Sequence, residues 1–448
     1  MKKRKLRLSV WQTLAIGYFI VIIIGSGLLI LPFATATGEH TSYIGALFTA
    51  TSATCVTGLS PYVTGTHWTL YGQIVILLLI QLGGLGFMTF VSSVIMLLGK
   101  GMGIGSRRAL MTSTGGEKLF GLKSLVRSIL IGSAIFETLG AVLLCIQFIP
   151  DFGWGQGIYY AIFHSVSAFC NAGFDLLATA GSSSLSIYAT NPLVSLTICG
   201  LIIIGGLGFC VWGDVIRCRF RFSKFQLNTK VILVTTLILL VLPTFMFLGF
   251  EWNKAYADTG YNFWQKLLLS FFNAVTPRTA GFSTTDPTKM SDSGYLLTII
   301  LMFIGGSSGS TAGGLKVGTF AVIIMGMVGV FRGQRDINIG KRRIEYSLLS
   351  QALAILVACI MFVLAATLAI CTIEHEAQFQ VVLYECVSAL GTVGISMNLT
   401  PSLSVYSYII LIILMYTGRV GILTLALALA KKSKVPDVRY PVDTLLIG

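Results

Sequence analysis

The sequence predicts an all-α integral membrane protein with four parallel repeats around a central pore, each repeat a span, a pore helix and a second span. Three observations indicate this class. The chain is 55% hydrophobic and only 11% charged, whereas soluble proteins keep about a quarter of their residues charged. Eight long apolar runs cross the 448 residues, and four glycine-containing segments recur between them at a nearly constant spacing.

The eight apolar runs each reach the roughly 20 residues that a helix needs to cross a bilayer. They lie near 10–33, 69–98, 125–149, 192–216, 229–250, 293–330, 347–373 and 404–430. The first run follows basic residues, as in a signal peptide, but it exceeds the roughly 7–15 apolar residues of a signal core. We therefore expect it to remain in the protein as a span.

A shorter apolar segment of about 12 residues separates the two runs of each pair, a length that suits re-entrant helices. These segments are 42–53, 157–168, 263–275 and 378–389.

Basic residues predict the orientation. On the eight-span map, 25 of the 31 lysines and arginines fall on one side and four fall on the other. Because positively charged loops stay in the cytoplasm, we expect both termini to be cytoplasmic in a multi-pass protein of the cell membrane. The net charge of +14 reflects mainly this bias, so nucleic acid is not an expected partner.

The ends of the four short segments align without gaps. They read "FTATSATCVTGLS" (48–60), "FHSVSAFCNAGFD" (163–175), "FFNAVTPRTAGFS" (271–283) and "YECVSALGTVGIS" (384–396). Each places a glycine ten positions after its first, aromatic residue; these repeat glycines, 115, 108 and 113 residues apart, are Gly58, Gly173, Gly281 and Gly394. Four such matches are a strong sign of internal repetition. We divide the chain into repeats 1–100, 101–224, 225–343 and 344–430, followed by a cytoplasmic tail at 431–448.

The repeat glycines predict an ion site. Two spans per repeat make the repeats parallel, so four re-entrant loops enter from one side and can meet at one axis. Backbone that leaves a helix inside a membrane must line water or be buried, and inward carbonyls can replace the water around a cation. Glycine turns the chain there without steric cost, and four helix C-termini add negative potential. The predicted cation site uses mainly backbone carbonyls of Val56, Thr57, Gly58, Asn171, Ala172, Gly173, Thr279, Ala280, Gly281, Thr392, Val393 and Gly394.

The segments "ATCVTGL", "SAFCNAGF", "VTPRTAGF" and "SALGTVGIS" resemble the membrane subunit of Ktr-type potassium uptake systems, within the wider group of Trk, Ktr and plant HKT transporters. The resemblance covers nearly the whole chain. It implies a homodimer with one pore in each subunit and a cytoplasmic ring of nucleotide-binding regulatory subunits. In relatives, serine at the first filter glycine goes with sodium permeation, so Gly58 implies a preference for potassium.

A glycine-rich stretch interrupts the overlong run 293–330. Because each glycine costs a helix roughly 0.8–1 kcal/mol relative to alanine, we expect a helix, a loop and a second helix there, rather than one kinked packing helix. The resemblance implies that this loop is a gate below the filter, with an arginine of the last span beside it. The predicted gate residues are Gly305, Gly306, Ser307, Ser308, Gly309, Ser310, Thr311, Ala312, Gly313, Gly314 and Arg419.

Two other charges and two motifs lie within the spans. Lys316 either enters the inner vestibule or extends to the membrane interface, and the second is favoured. Glu137 pairs with Arg419 or with a polar neighbour. The "GGLGF" motifs at 83–87 and 205–209 are interpreted as close helix packing.

Other functions make different predictions. A secondary transporter is expected to carry inverted repeats, whereas the repeat here is fourfold and parallel. An enzyme needs clustered acid–base or metal-binding residues, and the sequence holds no such cluster, so we expect no cofactor apart from K⁺ as the transported ion. A sodium-permeable or K⁺/Na⁺ transporter of the same superfamily stays as the alternative.

Overall fold

The computed structural model describes residues 9–36, 41–97, 122–177, 184–257, 260–334, 337–339 and 342–429. Repeat 1 comprises α1 (Val10–Leu29), α2 (Tyr43–Cys55), α3 (Thr64–His67), α4 (Leu70–Leu85) and α5 (Phe87–Leu97). Repeat 2 comprises α6 (Leu122–Phe152), α7 (Trp154–Phe169), α8 (Pro192–Leu207) and α9 (Phe209–Arg217).

Repeat 3 comprises α10 (Leu227–Glu251), α11 (Phe263–Val275), α12 (Asp292–Phe303) and α13 (Val317–Phe331). A small antiparallel hairpin follows, formed by β1 (Ile337–Ile339) and β2 (Arg342–Ile344), which the sequence analysis did not predict. Repeat 4 comprises α14 (Tyr346–Ile373), α15 (Phe379–Gly391), α16 (Val405–Val420) and α17 (Ile422–Leu429). The all-helical class is confirmed.

The helices begin where polar side chains cap exposed backbone N–H groups. Ser9 and Gln12 form a capping box at α1, and Asn262 and Gln265 form another at α11. Such reciprocal bonds satisfy N–H groups that a helix leaves without partners. The first residues of the aligned segments then anchor the pore helices in the core: the side chains of Phe48, Phe163 and Tyr384 are fully buried.

The membrane-crossing elements fall into two kinds. Within the described ranges, α1, α6, α10 and α14 are each long and apolar enough to cross a membrane, and three bent helix pairs would add one span each. The helices α12 and α13, with 12 and 15 residues, are shorter and flank the glycine-rich loop. Together these elements correspond to the eight predicted runs. The outward side chains are apolar, as lipid requires; Phe19 is 57% exposed and Leu368 is 67% exposed.

The second spans of repeats 1, 2 and 4 are broken, although each was predicted as one continuous apolar run. The chain turns by 97° between α4 and α5, by 91° between α8 and α9, and by 94° between α16 and α17. A glycine with φ between +86° and +97° lies at each break: Gly86, Gly208 and Gly421. Few residues other than glycine adopt this backbone conformation. The helix before each break therefore ends at the glycine, which in repeats 1 and 2 is the last glycine of the "GGLGF" motif.

The first glycine of each "GGLGF" motif packs closely, as interpreted from the sequence, and Gly418 of repeat 4 does the same. A β-carbon on Gly83, Gly205 or Gly418 would overlap the carbonyl oxygen of Thr54, Phe169 or Leu390, each near the C-terminal end of a pore helix. The second spans therefore approach the pore helices backbone to backbone. The basic segments 2–7 and 431–434, and most of the loop 100–127, lie outside the described residues, as do both termini.

Candidate functional site

The four repeat glycines lie in a closed ring. Each one faces the backbone carbonyl that precedes the glycine of the next repeat, at a distance that leaves no room for a side chain. A β-carbon would lie 2.6 Å from the Ala172 oxygen if built on Gly58, 2.7 Å from the Ala280 oxygen on Gly173, and 2.7 Å from the Val393 oxygen on Gly281. On Gly394 it would overlap the carbonyl oxygen of Thr57, which closes the ring. Four carbonyls from four repeats thus surround one axis.

A second backbone feature repeats two residues before each glycine. The residues there have left-handed backbone with φ between +52° and +70°: Val56, Asn171, Thr279 and Thr392. Three of the four are β-branched, a type for which this conformation is rare and costs about 1–3 kcal/mol when the surroundings impose it. From the sequence, special backbone was expected only at the glycines. The structure shows two left-handed positions per repeat, separated by one residue.

Hydroxyl groups from the last turn of each pore helix hold the segments that carry the glycines. In repeats 1 and 4, the amide N–H of Gly58 and Gly394 donates to Ser52 Oγ and Ser388 Oγ, each at 3.0 Å. In repeats 2 and 3, Ser167 Oγ donates to the Phe174 carbonyl at 2.7 Å and Thr276 Oγ1 donates to that of Phe282. These four residues were not predicted from the sequence, although a serine occupies the same aligned position in three repeats.

Polar pairs tie the outer ends of two of these segments to their pore helices. In repeat 2, His164 Nε2 lies 2.7 Å from Asp175 Oδ1, and both side chains are buried. In repeat 4, Glu385 Oε1 accepts hydrogen bonds from Ser396 Oγ and from the Thr400 amide at 3.1 Å. The two pairs occupy the same two aligned positions. They tie the pore helix to the chain beyond the glycine and so stabilise the ring.

The glycine-rich loop (residues 305–314) leaves the helical path between α12 and α13. Its base is closed by two hydrogen bonds, from the Gly305 amide to the Leu315 carbonyl at 2.9 Å and from the Val317 amide to the Gly306 carbonyl at 3.0 Å. A β-carbon on Gly313 would overlap Thr392 Oγ1, and one on Gly314 would lie 3.0 Å from the Gly391 oxygen. The loop therefore packs directly against the fourth repeat where its pore helix ends.

The same loop is bonded to the broken span of repeat 2. The Phe209 amide donates to the Gly309 carbonyl at 2.8 Å, and the Ser307 amide donates to the Gly206 carbonyl at 2.9 Å. Backbone groups that the helix break exposes are thus satisfied by the loop. Such partners are needed in the membrane interior, where water does not supply them.

Arg419 joins the loop to repeat 1. Its guanidinium donates to the carbonyls of Thr311 and Gly83 through two different nitrogens, and also to the Gly84 carbonyl at 3.3 Å. A planar group with several fixed donors suits such a bridge. Arg419 belongs to repeat 4, so its side chain connects the first, third and fourth repeats at the level of the broken spans.

Lys316 corrects one expectation. Its Nζ donates to the Ala312 carbonyl at 2.8 Å, and the side chain lines a cavity of about 390 Å³, the inner cavity, together with Arg419 and the glycine-rich loop. The side chain therefore bonds the loop instead of extending to the membrane interface. Of its two predicted partners, Arg419 and a polar neighbour, Glu137 pairs with the second. Gln81 Nε2 donates to both of its carboxylate oxygens, at 2.9 and 3.2 Å.

The arrangement offers backbone oxygens at the ring and places positive charge at the cavity. The ring offers carbonyl oxygens without an acidic side chain among its residues, as backbone filters do. The loop and two cationic side chains lie at the inner cavity. Within the described ranges, no group of three histidine, cysteine or acidic side chains could hold a metal ion.

Comparison with known proteins gives consistent results. The family model of TrkH, described as a cation transport protein, matches residues 12–437. The chain is 40% identical to the potassium/sodium uptake protein NtpJ of Enterococcus hirae, over 100% of this chain and 99% of that protein. It is also 40% identical to the Ktr system potassium uptake protein B of Bacillus subtilis, over 98% and 96% of the two chains. The crystal structure of the potassium transporter TrkH from Vibrio parahaemolyticus shares the fold, with a TM-score of 0.73, 18% identity, and coverage of 96% of this chain and 86% of that one.

Proposed function

The chain belongs to the TrkH family of cation transport proteins, and from this premise we propose that it is the potassium-translocating subunit of an uptake system. It would pass K⁺ inward, down its electrochemical gradient, through the carbonyl ring. The observation that carries the proposal is the ring itself, in which Thr57, Ala172, Ala280 and Val393 each place a carbonyl against the next repeat glycine. Four parallel pore helices end at this ring and favour a cation there.

Two kinds of relatives bear on the choice of ion. Close relatives include a protein named for potassium and one named for potassium and sodium. All four repeats keep glycine at the ring, and a ring of backbone carbonyls that replaces the hydration shell is the arrangement of potassium-selective filters. We therefore propose selectivity for potassium, with a sodium-permeable pore as the second candidate.

The glycine-rich loop is the proposed gate. It lies against Thr392 and Gly391 at the base of the fourth filter segment, and hydrogen bonds hold it to the three other repeats directly or through Arg419. A loop held in this place would block the path sterically. The positive charges of Arg419 and Lys316 would also repel a cation in the inner cavity.

The regulatory partner is proposed from the resemblance and from charge. The segments 217–224 and 332–343 carry nine lysines and arginines. On the proposed orientation they face the cytoplasm, where a nucleotide-binding ring would dock. The proposed assembly is a homodimer on one such ring.

Ser388→Ala should weaken discrimination between K⁺ and Na⁺ without stopping flux. The change leaves the buried Gly394 amide without its acceptor, at a cost of about 1–3 kcal/mol that the filter segment can relieve by shifting. Competition of Na⁺ with K⁺ uptake in proteoliposomes measures the effect. Ser133→Ala is the matched control, because the Ser133 hydroxyl is buried and bonds only its own helix. Equal selectivity in the two variants would leave Ser388 without a filter role.

Reversing the charges of Arg219, Arg221 and Arg332 to glutamate should reduce binding of a Ktr-type regulatory ring. All three side chains are exposed on the face proposed to be cytoplasmic, and opposite charge would replace attraction with repulsion. Co-purification with the purified ring at two salt concentrations is the measurement, and basal flux in its absence should be unchanged. Wild-type affinity for the ring after these reversals would exclude this surface as the docking site.

A further inference from the structure

A groove lies between the two outer helices of repeat 3, α10 and α13. It encloses about 810 Å³. Its walls are apolar and come from one face of each helix, with Val234 and Ile238 on α10 and Phe320 and Ile324 on α13. Val234 is 46% exposed and Ile324 is 38% exposed, so both stay accessible from outside the described chain. The groove is therefore an apolar slot that opens toward the surrounding membrane.

One end of the groove is basic. Lys224, Lys230 and Arg342 line this end, and no acidic residue is among the described residues that line the groove. Lys230 Nζ donates to the Ser223 carbonyl at 3.0 Å and lies 5.7 Å above the Phe222 ring. Its charge is thus held in place at the groove mouth. Arg342 reaches the same mouth from the hairpin strand β2, and the side chains of Lys224 and Arg342 are exposed.

We propose that this groove binds an anionic phospholipid, with an acyl chain in the apolar slot and the phosphate at Lys224, Lys230 and Arg342. The charge and the shape together select this occupant. An apolar slot suits an acyl chain, and three cations at its end match a negatively charged headgroup. A zwitterionic lipid carries a cation beside its phosphate, which three basic side chains would repel. A soluble anion would leave the apolar slot empty.

The site has a defined place in the fold. Helix α13, which forms one wall of the groove, begins at Val317, shortly after the glycine-rich loop. On the proposed orientation the basic end lies at the cytoplasmic leaflet, where anionic lipids attract basic residues. The lipid would therefore pack against the helix that leaves the loop. This binding site does not depend on which ion the pore selects.

The test is native mass spectrometry of the full chain from vesicles of equal parts phosphatidylglycerol and phosphatidylcholine. The wild type should retain phosphatidylglycerol in preference. Each basic residue near a membrane surface contributes roughly 1 kcal/mol, or about fivefold in affinity. The triple change Lys224→Gln, Lys230→Gln and Arg342→Gln should therefore lower the preference by at least about tenfold. The control Arg127→Gln, Arg219→Gln and Arg221→Gln removes three exposed charges of the same predicted side that do not line the groove, and it should keep the preference.

A second variant tests the apolar half of the site. Val234→Trp with Ile324→Trp fills the slot and keeps all three cations, so retention of phosphatidylglycerol should fall as well. Undiminished retention in the tryptophan variant, or displacement of the lipid by excess glycerol phosphate, would show a site for the phosphate alone and overturn the proposal. Undiminished preference in the triple glutamine variant would also overturn it. So would a loss of dimer in the tryptophan variant without any lipid preference in the wild type, because a second copy would then cover the groove.

Discussion

A serine in place of Gly58 should cost the pore most of its discrimination between potassium and sodium. Gly58 has φ +99°, and a β-carbon there would lie 2.6 Å from the Ala172 oxygen and 3.2 Å from the Gly173 α-carbon. The neighbouring carbonyl must move by several tenths of an ångström, so the ring can no longer match one ion. A loss of only about 1.4 kcal/mol in relative ion affinity corresponds to tenfold lower selectivity, and we expect a change of at least that size.

Competition between K⁺ and Na⁺ for uptake into proteoliposomes, normalised to protein, measures this change. Gly153→Ser is the matched control, because Gly153 has φ +81° and a β-carbon there would meet no other atom within 4 Å. It imposes similar backbone strain outside the ring and should leave selectivity unchanged. Wild-type selectivity in the Gly58→Ser protein would remove Gly58 from the filter.

Arg419→Ala should raise ion flux, most clearly when no regulatory ring is bound. The change removes the bonds to the carbonyls of Thr311 and Gly83, which hold the glycine-rich loop in place. It also removes a positive charge from the inner cavity. A guanidinium about 8 Å from a passing cation, at an effective dielectric near 20, raises the barrier by roughly 2 kcal/mol, or about thirtyfold in rate.

Two further variants separate the charge from the hydrogen bonds. Arg419→Lys keeps the charge and loses the paired donors, so its flux should lie between those of the wild type and Arg419→Ala. Removal of residues 308–311 takes away the tip of the loop and keeps the base bonds of Gly305 and Val317; it should raise flux while Arg419 is present. If flux stayed at the wild-type level in every variant, with unchanged thermal stability, the loop would be a packing element and Arg419 a structural bridge.

The pore helices could be predicted because each is a short apolar segment of the sequence. The repeat could be predicted because the glycine-containing segments align at a nearly constant spacing. The apolar segment 263–275 corresponds to a helix with the same limits, Phe263–Val275. The glycine-rich loop was also predictable, since no helix tolerates so many glycines.

The breaks at Gly86, Gly208 and Gly421 were not predicted, because a glycine in a span can serve close packing or a turn. Contacts with residues that are distant in the sequence decide whether the glycine packs closely or forms a turn. The break at Gly208 is stabilised by the bond from the Phe209 amide to the Gly309 carbonyl, which joins residues 100 positions apart in the sequence. The second spans of repeats 1, 3 and 4 nevertheless share a spacing in the sequence. Gly83, Gly305 and Gly418 follow their repeat glycines by 25, 24 and 24 residues.

The left-handed residues before the glycines run against local preference. Val56 and Thr392 are β-branched and disfavour positive φ, so no propensity argument would place them there. The packing of the four repeats around the ring imposes the conformation, helped by backbone bonds such as that from the Val393 amide to the Ser388 carbonyl at 2.8 Å. The prediction for Lys316 was wrong for a similar reason. Its acceptor, the Ala312 carbonyl, comes within hydrogen-bonding distance only when the loop has folded.

The most direct test of the carbonyl ring as a potassium pathway is side-by-side uptake of K⁺ and Na⁺ by the purified wild-type chain in proteoliposomes. The vesicles hold an imposed inside-negative potential and no other gradient. We expect K⁺ to enter under the potential alone and Na⁺ to enter much more slowly. Equal entry of both ions would contradict potassium selectivity at the ring, and K⁺ entry only when a second ion gradient is supplied would contradict passive translocation through it.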